Sequence, residues 1–478
     1  MYQSLVFAIS ILLVAIIYFV FNKKSNRAFS LFLKIFTFAY CVVGFIRFLM
    51  PDSFIFVING GWIDEVYRDQ TDILQTILRW GYYLNYGVLP MAVFFDSKVF
   101  KSIASYICLP FSILSTVFFK DFMKYFLAET NRKTLSVPDG FRYAFFVLEL
   151  VMAIVIPVII QVKQKHYLNI KNKVELRNFL ILVPCVILLM VPVYVPQSLH
   201  GIGLITNKPW DDLHITWLIL LFALTLTLYH SFRFRNYRER YMLCIFLTIV
   251  LFYHYDSLYL MGFSLNRLPF QLCNIASYFF LICVPFKLKK MFNFCYIANT
   301  VGTMVALVAP DFSSGGLGFW NMHFIMEHSL VFIIPILCMG LRIFPRVDKR
   351  SILHVWVGFT LYFLFAFVMG TIINGYYEET GQKVNYFFMF DLKEAFDYFP
   401  MLTFTEKTHY ELGRFEFYPL LAIIIYLAFN ILCLAFYWLT KVVLYKLEDD
   451  HLQLRLSRIE LYEKLTGKKS KQPKAFID

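Results

Sequence analysis

The sequence predicts an all-α integral membrane protein with about thirteen transmembrane helices. Composition is the first reason: apolar residues fill 59% of the 478 positions and charged residues only 16%, against about half and about a quarter in soluble domains. The second is that the apolar residues come in runs of about twenty, the length that crosses a hydrocarbon core roughly 30 Å thick. The third is that basic and acidic residues alternate between successive connecting segments.

Taken in order, the runs predict spans at 4–21, 29–50, 76–97, 99–119, 141–162, 177–195 and 214–232, then 241–261, 267–286, 290–310, 319–341, 351–374 and 418–444. No small-residue cleavage site follows Leu5–Phe21, so this run reads as a retained helix and not as a signal peptide. Lys23, Lys24 and Arg27, then Lys98 and Lys101, then Lys163, Lys165 and Lys171, then Arg233, Arg235 and Arg238, then Lys287, Lys289 and Lys290, then Arg342, Arg346 and Lys349 mark every second connection. Asp64, Glu65, Asp69 and Asp72, Asp211 and Asp212, and Glu378, Glu379, Asp391, Glu394 and Asp397 mark those between. Positive loops stay in the cytoplasm, which places the N-terminus outside and the C-terminus inside. The connection 120–140, with Lys124, Arg132 and Lys133, departs from the pattern. A formal charge of +13 spread in this way excludes a nucleic-acid patch. After Tyr445 the tail LEDDHLQLRLSRIELYEKL reads as an amphipathic cytoplasmic helix, ending in GKKSKQPK, which suits anionic lipid headgroups.

An internal repeat organises these spans. Gly140, Phe141, Phe146, Glu149, Ile156 and Pro157 fall in register with Gly318, Phe319, Phe324, Glu327, Ile334 and Pro335. Leu89-Pro90 answers Leu268-Pro269 in the same scheme. The helices then divide as one plus six plus six: an extra helix in 1–28, a first six-helix unit in 29–235, a second, parallel one in 236–445 and the tail in 446–478. Where the second unit has Cys273, His323 and His328, the first has Phe94, Phe145 and Leu150. The first unit therefore reads as a degenerate copy without reactive side chains.

Polar groups inside spans are costly and are functional candidates by default. They concentrate in the second unit: His254 and Asp256, then Gln271, Cys273 and Asn274, then Asn321, His323, Glu327 and His328, with Asn374 at a span end and Asn385 in a connection. A helix starting near Leu268 puts Cys273 in its second turn, roughly 8 Å deep, and His328 lies roughly 15 Å beyond Gly318, all in the outer-leaflet half. Proline suits a first helical turn, and the positive end of the helix dipole favours a thiolate there. A cysteine activated by histidine is a nucleophile for acyl transfer through a thioester. Glu327 cannot orient the adjacent His328, since neighbours on a helix point about 100° apart, which leaves Asn321 or Asn385. His323 and His328, five apart, lie on different faces, so no metal site and no cofactor is expected. Without function, a membrane cysteine is a packing residue, and Glu149 and Glu327 are partners in interhelical hydrogen bonds.

LPFQLCNIASYFF (Leu268–Phe280), APDF (Ala309–Phe312), FIMEHSLVFIIPI (Phe324–Ile336) and NYFFM (Asn385–Met389) follow one another in an order and spacing that resembles the YwaF-like family of bacterial membrane proteins, whose eukaryotic relative is transmembrane protein 164. The resemblance covers the second half of the chain. It implies a cysteine-dependent acyltransferase that moves fatty acyl chains between phospholipids, with Cys273 and His328 at the motif cysteine and histidine and a location in a bacterial plasma membrane. The chain departs from the family by its whole first unit and by Ser329, where a glycine is usual in the bacterial proteins.

Three functions remain open at this point. One is a lipid acyltransferase or acyl hydrolase using Cys273 and His328, with a membrane phospholipid as donor. The second is a six-plus-six transporter in which His254, Asp256, Glu327 and His328 carry protons or substrate. The third is a lipid-binding scaffold without catalysis.

Overall fold

Helices begin where the polar connections supply caps. Asn172 accepts hydrogen bonds from the N–H groups of Val174 and Glu175, and Asn236 from that of Glu239. Asp348 and Ser351 form a reciprocal capping box. Each satisfies donors that have no carbonyl one turn earlier. The computed structural model describes residues 2–22, 25–49, 73–120, 139–193, 195–196, 210–252, 268–310, 317–376, 383–390, 400–412 and 415–467.

In chain order the helices are α1 (Tyr2–Asn22), α2 (Asn26–Leu49), α3 (Ile73–Phe94), α4 (Lys98–Val117), α5 (Asp139–Gln164), α6 (Lys173–Leu189) and α7 (Asp212–Phe232). Then come α8 (Tyr237–Val250), α9 (Leu272–Phe286), α10 (Lys289–Val308), α11 (Phe319–Gly340), α12 (Lys349–Gly375), α13 (Pro419–Leu439) and α14 (Tyr445–Thr466). Among the described residues, nine helical stretches are long and apolar enough to cross a membrane, and Tyr83–Phe94 and Leu272–Phe286 are shorter apolar helices. The chain is a multi-pass membrane protein by length and composition. It is not wholly helical: Tyr410–Leu412 (β1) pairs antiparallel with Phe415–Phe417 (β2), Tyr410 opposite Phe417. The alternation Tyr-Glu-Leu and Phe-Glu-Phe suits a strand pair, a signal the apolar-run reading passed over.

The chain divides into two compact units, one formed by Met1–Ile215 and Phe312–Met326, the other by Thr216–Phe252, Phe263–Asp311 and Glu327–Asp478. In the first, Tyr2 on α1 stacks on Tyr143 of α5 at 4.7 Å and on Phe119 at 5.5 Å. Its core between α3 and α4 is polar: Asn85 Nδ2 donates to Ser112 Oγ at 3.0 Å, both residues fully buried. In the second, Phe292 stacks on Phe344 at 3.8 Å and Phe359 on Phe429 at 4.4 Å, tying α10 to the α11–α12 connection and α12 to α13.

α4 and α10 have one architecture. Each runs six α residues, five π residues and nine α residues, with π turns at Ala104–Cys108 and Cys295–Asn299. The packing against the preceding helix fixes the register. In the first unit Phe111 of α4 fills the space over Gly81 of α3, where a Cβ would collide with the ring. In the second unit a Cβ on Gly302 of α10 would sit 3.0 Å from Leu272 of α9. Leu272 and Gly302 each lie 191 positions after Gly81 and Phe111. This corrects two expectations. Pro90 lies within α3 whereas Pro269 precedes α9, so Leu89-Pro90 does not answer Leu268-Pro269. The position opposite Cys273 is Tyr82 and not Phe94.

α13 passes through a π turn at Thr440–Leu444 into α14 without a break. α14 lies against basic residues of its own unit. Glu448 accepts from Arg342 Nε at 3.1 Å and from Arg346 Nη2 at 3.0 Å, and Asp449 accepts from Arg346 at 2.6 Å. Buried Arg233 donates to His451 Nδ1 at 2.5 Å and to the Glu448 carbonyl at 3.0 Å. Arg346 holds the Asp449 carboxyl below the usual aspartate range. Burial, then the Arg233 charge, lower the basicity of the His451 ring. Residues 468–474 of the basic tail lie outside the described residues.

Candidate active site

The site is built at the start of α9. Phe270 N donates to Leu268 O at 2.7 Å, so Leu268-Pro269-Phe270 forms a tight three-residue turn around the proline. Gln271 is the N-cap and α9 begins at Leu272. Cys273 is therefore in the first turn and not the second, because the proline shapes the turn before the helix instead of opening it. The first helical hydrogen bond runs from Ile275 N to Gln271 O at 3.0 Å. The N–H groups of Leu272 and Cys273 thus have no acceptor one turn earlier within α9, and they carry the positive end of its dipole.

Polar groups converge on this turn from two further helices and from the part of α11 that begins at Glu327. Thr303 of α10 is in hydrogen-bond range of the Cys273 thiol, and the Glu327 carboxyl is in electrostatic range of it. Tyr362 of α12 interacts with the same thiol, and its hydroxyl donates to the Phe270 carbonyl. Thr303 Oγ1 donates to Asn299 O at 2.7 Å. Asn299 Nδ2 donates to Leu272 O, at the peptide that joins Leu272 to Cys273, at 2.7 Å. The π turn Cys295–Asn299 rotates Asn299 towards α9, and such turns recur at functional sites. Gly302 lets α10 approach this closely, as its 3.0 Å clearance from Leu272 shows. Seven of the nine cysteines are buried residues, whereas Cys273 and Cys41 are half-buried.

Of the residues the sequence singles out, the structure brings Cys273 and Glu327 together. His328 is buried on the next position of α11, about 100° further round. Its neighbour Ser329 accepts from Trp217 Nε1 at 2.7 Å, so the serine that departs from the family pattern anchors α11 to α7 within the second unit. Gln271 is exposed with no side-chain cap bond. The Asn274 carbonyl accepts from Ser277 Oγ at 2.7 Å. Asn321 and His323 are buried on the part of α11 that belongs to the first unit. Asn385 Oδ1 accepts from Phe390 N at 3.1 Å, holding its own loop, while Asn374 exchanges two hydrogen bonds with Val384. His254, Asp256 and the Asp311-Phe312 half of APDF lie outside the described residues. Among the described residues, no group of three or more His, Cys, Asp or Glu could hold a metal ion.

The sequence reading passed over Asn299, Thr303 and Tyr362. Asn299 and Thr303 carried a usable signal, being polar residues four apart in one apolar run and so on one helical face. Tyr362 carried none.

The family model of the TMEM164 family matches residues 204–442, half of the chain. The chain belongs to the TMEM164 family. The matched segment contains Thr303, Glu327 and Tyr362, the groups that reach the Cys273 thiol among the described residues. Neither the comparison with curated proteins nor that with solved structures gives a match. Within this TMEM164-family segment, α9 to α12 supply a thiol at a helix start, a carboxyl and two hydroxyls, inside an otherwise apolar bundle.

Proposed function

We propose that the chain is a membrane lipid acyltransferase, or acyl hydrolase, that works through a thioester on Cys273. The observation that carries this reading is the convergence of Thr303, Tyr362 and Glu327 on a thiol in the first turn of α9. Cys273 attacks an acyl ester carbonyl, the N–H groups of the first turn of α9 face the developing oxyanion, and His328 takes the thiol proton and returns it to the leaving alkoxide. Glu327 is the competing base, since its carboxyl is in electrostatic range of the thiol. His254, Asp256, Gln271, Asn274, Asn321, His323 and Asn385 stay as candidate substrate-contacting or supporting residues. The acyl donor is a membrane phospholipid entering sideways from the bilayer.

The same proposal includes thirteen spans in a one-plus-six-plus-six arrangement, an outer N-terminus, a cytoplasmic C-terminus and a bacterial plasma membrane with YwaF-like relatives. The matched α–π–α segments of α4 and α10 support the duplication.

The test is transfer from a labelled phospholipid in vesicles containing the full chain. The expected result is a labelled thioester on Cys273 by intact-protein mass spectrometry and loss of transfer in Cys273→Ala. His328→Ala and Glu327→Gln separate the two candidate bases. Full transfer by Cys273→Ala overturns the reading.

A further inference from the structure

Asn299 makes one hydrogen bond with its amide and leaves the other end of the group buried. Its Nδ2 donates to the Leu272 carbonyl at 2.7 Å. Its Oδ1 is fully buried and, among the described residues, accepts no hydrogen bond. A buried amide oxygen without a donor is costly, and native proteins rarely keep one for packing alone. The amide is held from behind as well, because the Asn299 carbonyl accepts from Thr303 Oγ1 at 2.7 Å and the residue closes a π turn. The side chain is thus clamped against the peptide next to the nucleophile, with a fixed acceptor to offer. The corresponding position in the first unit, 191 residues earlier, is Cys108, which has no such acceptor. There the equivalent Ser112 also donates to the Cys108 carbonyl, at 2.9 Å, so the backbone device is shared and the amide is specific to the second unit.

We infer that Asn299 is a substrate-orienting residue, whose Oδ1 accepts a hydrogen bond from the hydroxyl of the acyl acceptor, a lysophospholipid or a similar glycerol alcohol. The inference rests on the acyl-enzyme reading above. In the second half-reaction the acceptor oxygen forms a C–O bond to the thioester carbonyl, and the C–S bond breaks to return the Cys273 thiolate. The hydroxyl proton, held by Asn299 Oδ1 on binding, leaves that contact as the C–O bond forms and passes to the base that took the thiol proton, so the step balances without a further reactant. Asn299 supplies no proton. It fixes the direction of the O–H before attack, a contribution made by positioning.

The acceptor arm uses the full chain in phosphatidylglycerol vesicles with a labelled acyl group and lysophosphatidylglycerol as acceptor. Asn299→Leu is expected to lower the ratio of acyl transfer to Cys273 loading by about tenfold, so that the thioester accumulates. Hydroxylamine, which needs no orienting acceptor, is expected to discharge that thioester at the normal rate. Equal slowing of loading and transfer, or unchanged transfer, overturns the inference. An arm on the unaltered chain guards against a variant that does not fold. A lysophosphatidylglycerol analogue with its acceptor hydroxyl replaced by hydrogen is expected to compete about tenfold more weakly than the lysolipid itself. Equal competition overturns the inference. No thioester in the unaltered chain overturns the acyl-enzyme reading instead, so the two failures are distinguishable.

Discussion

α3 with α4, and α9 with α10, solve one packing problem in opposite ways. In the first unit the bulk is on the second helix, Phe111 over Gly81. In the second unit the bulk is on the first helix, Leu272 against Gly302. A volume exchanged across an interface preserves the fit, which is what cores tolerate best. The polar groups are redistributed with it. Asn85 and Ser112 are bonded to each other in the first unit. In the second, the amide has moved to α10 as Asn299, bonds the backbone beside Cys273, and Thr303 is left facing the thiol. The lesson is that one scaffold holds either a polar pair bonded across its two helices or a set of polar groups directed at a reactive atom.

The largest expected effect breaks the comparison at its centre. Cys273→Ala should lower transfer by about a thousandfold or more, since it removes the nucleophile. Cys108→Ala, on α4 of the first unit at the position that matches Asn299, should leave transfer within about twofold; equal losses in both would show that the first unit is also reactive.

A second contrast sets His328 against Leu150, its counterpart on α5. His328→Ala is expected to slow thioester formation by about a hundredfold or more. Leu150→Ala empties a fully buried site and should cost about 2–5 kcal/mol of stability, read as a lowered melting temperature, with the chemistry of the surviving folded fraction intact.

Thr303 and Ser112 give a smaller and sharper pair. Ser112→Ala leaves the buried Asn85 amide without its acceptor, a loss of about 1–3 kcal/mol in thermal unfolding. Thr303→Val keeps the shape and removes the hydroxyl, so transfer should fall by about tenfold while stability changes by about 1 kcal/mol or less.

The smallest effect concerns α14, which has its ionic partners in the second unit. His451 accepts from Arg233 while neutral, and the His230 ring, Arg455 and Arg458 surround it. Its basicity in the folded chain lies below the usual value of 6.5, so its contribution to docking is complete above that pH and is lost as the pH falls through the lowered value. Hydrogen exchange in Tyr445–Thr466 should therefore rise on acidification below about 6.5 while α1 to α5 stay protected. Uniform exchange at every pH would remove His451 from the contact.

Much of this was legible in the residues. Runs of apolar side chains mark where helices form because a bilayer leaves no other backbone solution. Cys273 stood out because a thiol behind Leu268-Pro269 is unusual in such a run. Helix starts were less legible: Pro269 fits either a first helical turn or the turn before it, and its neighbours Leu268 and Phe270 chose the latter. Thr303 and Asn299 were visible as polar residues on one face, but their partner was not, because nothing local says which helix that face meets. The small strand pair was hidden for a different reason, since six residues give too short an alternation to outweigh their setting.

The sequence by itself determined the solvent of this protein, its helical content and the half of the chain that carries the TMEM164 match, because hydropathy and motif order are properties of consecutive residues. Only the tertiary structure decided the register of the two units. α4 and α10 share just Lys98 with Lys289 and Val117 with Val308, yet they carry the same π turn at the same place. The exchange of Phe111 over Gly81 for Leu272 against Gly302 preserves volume between helices and not identity along either, and a sequence read one residue at a time does not record a sum of volumes across an interface.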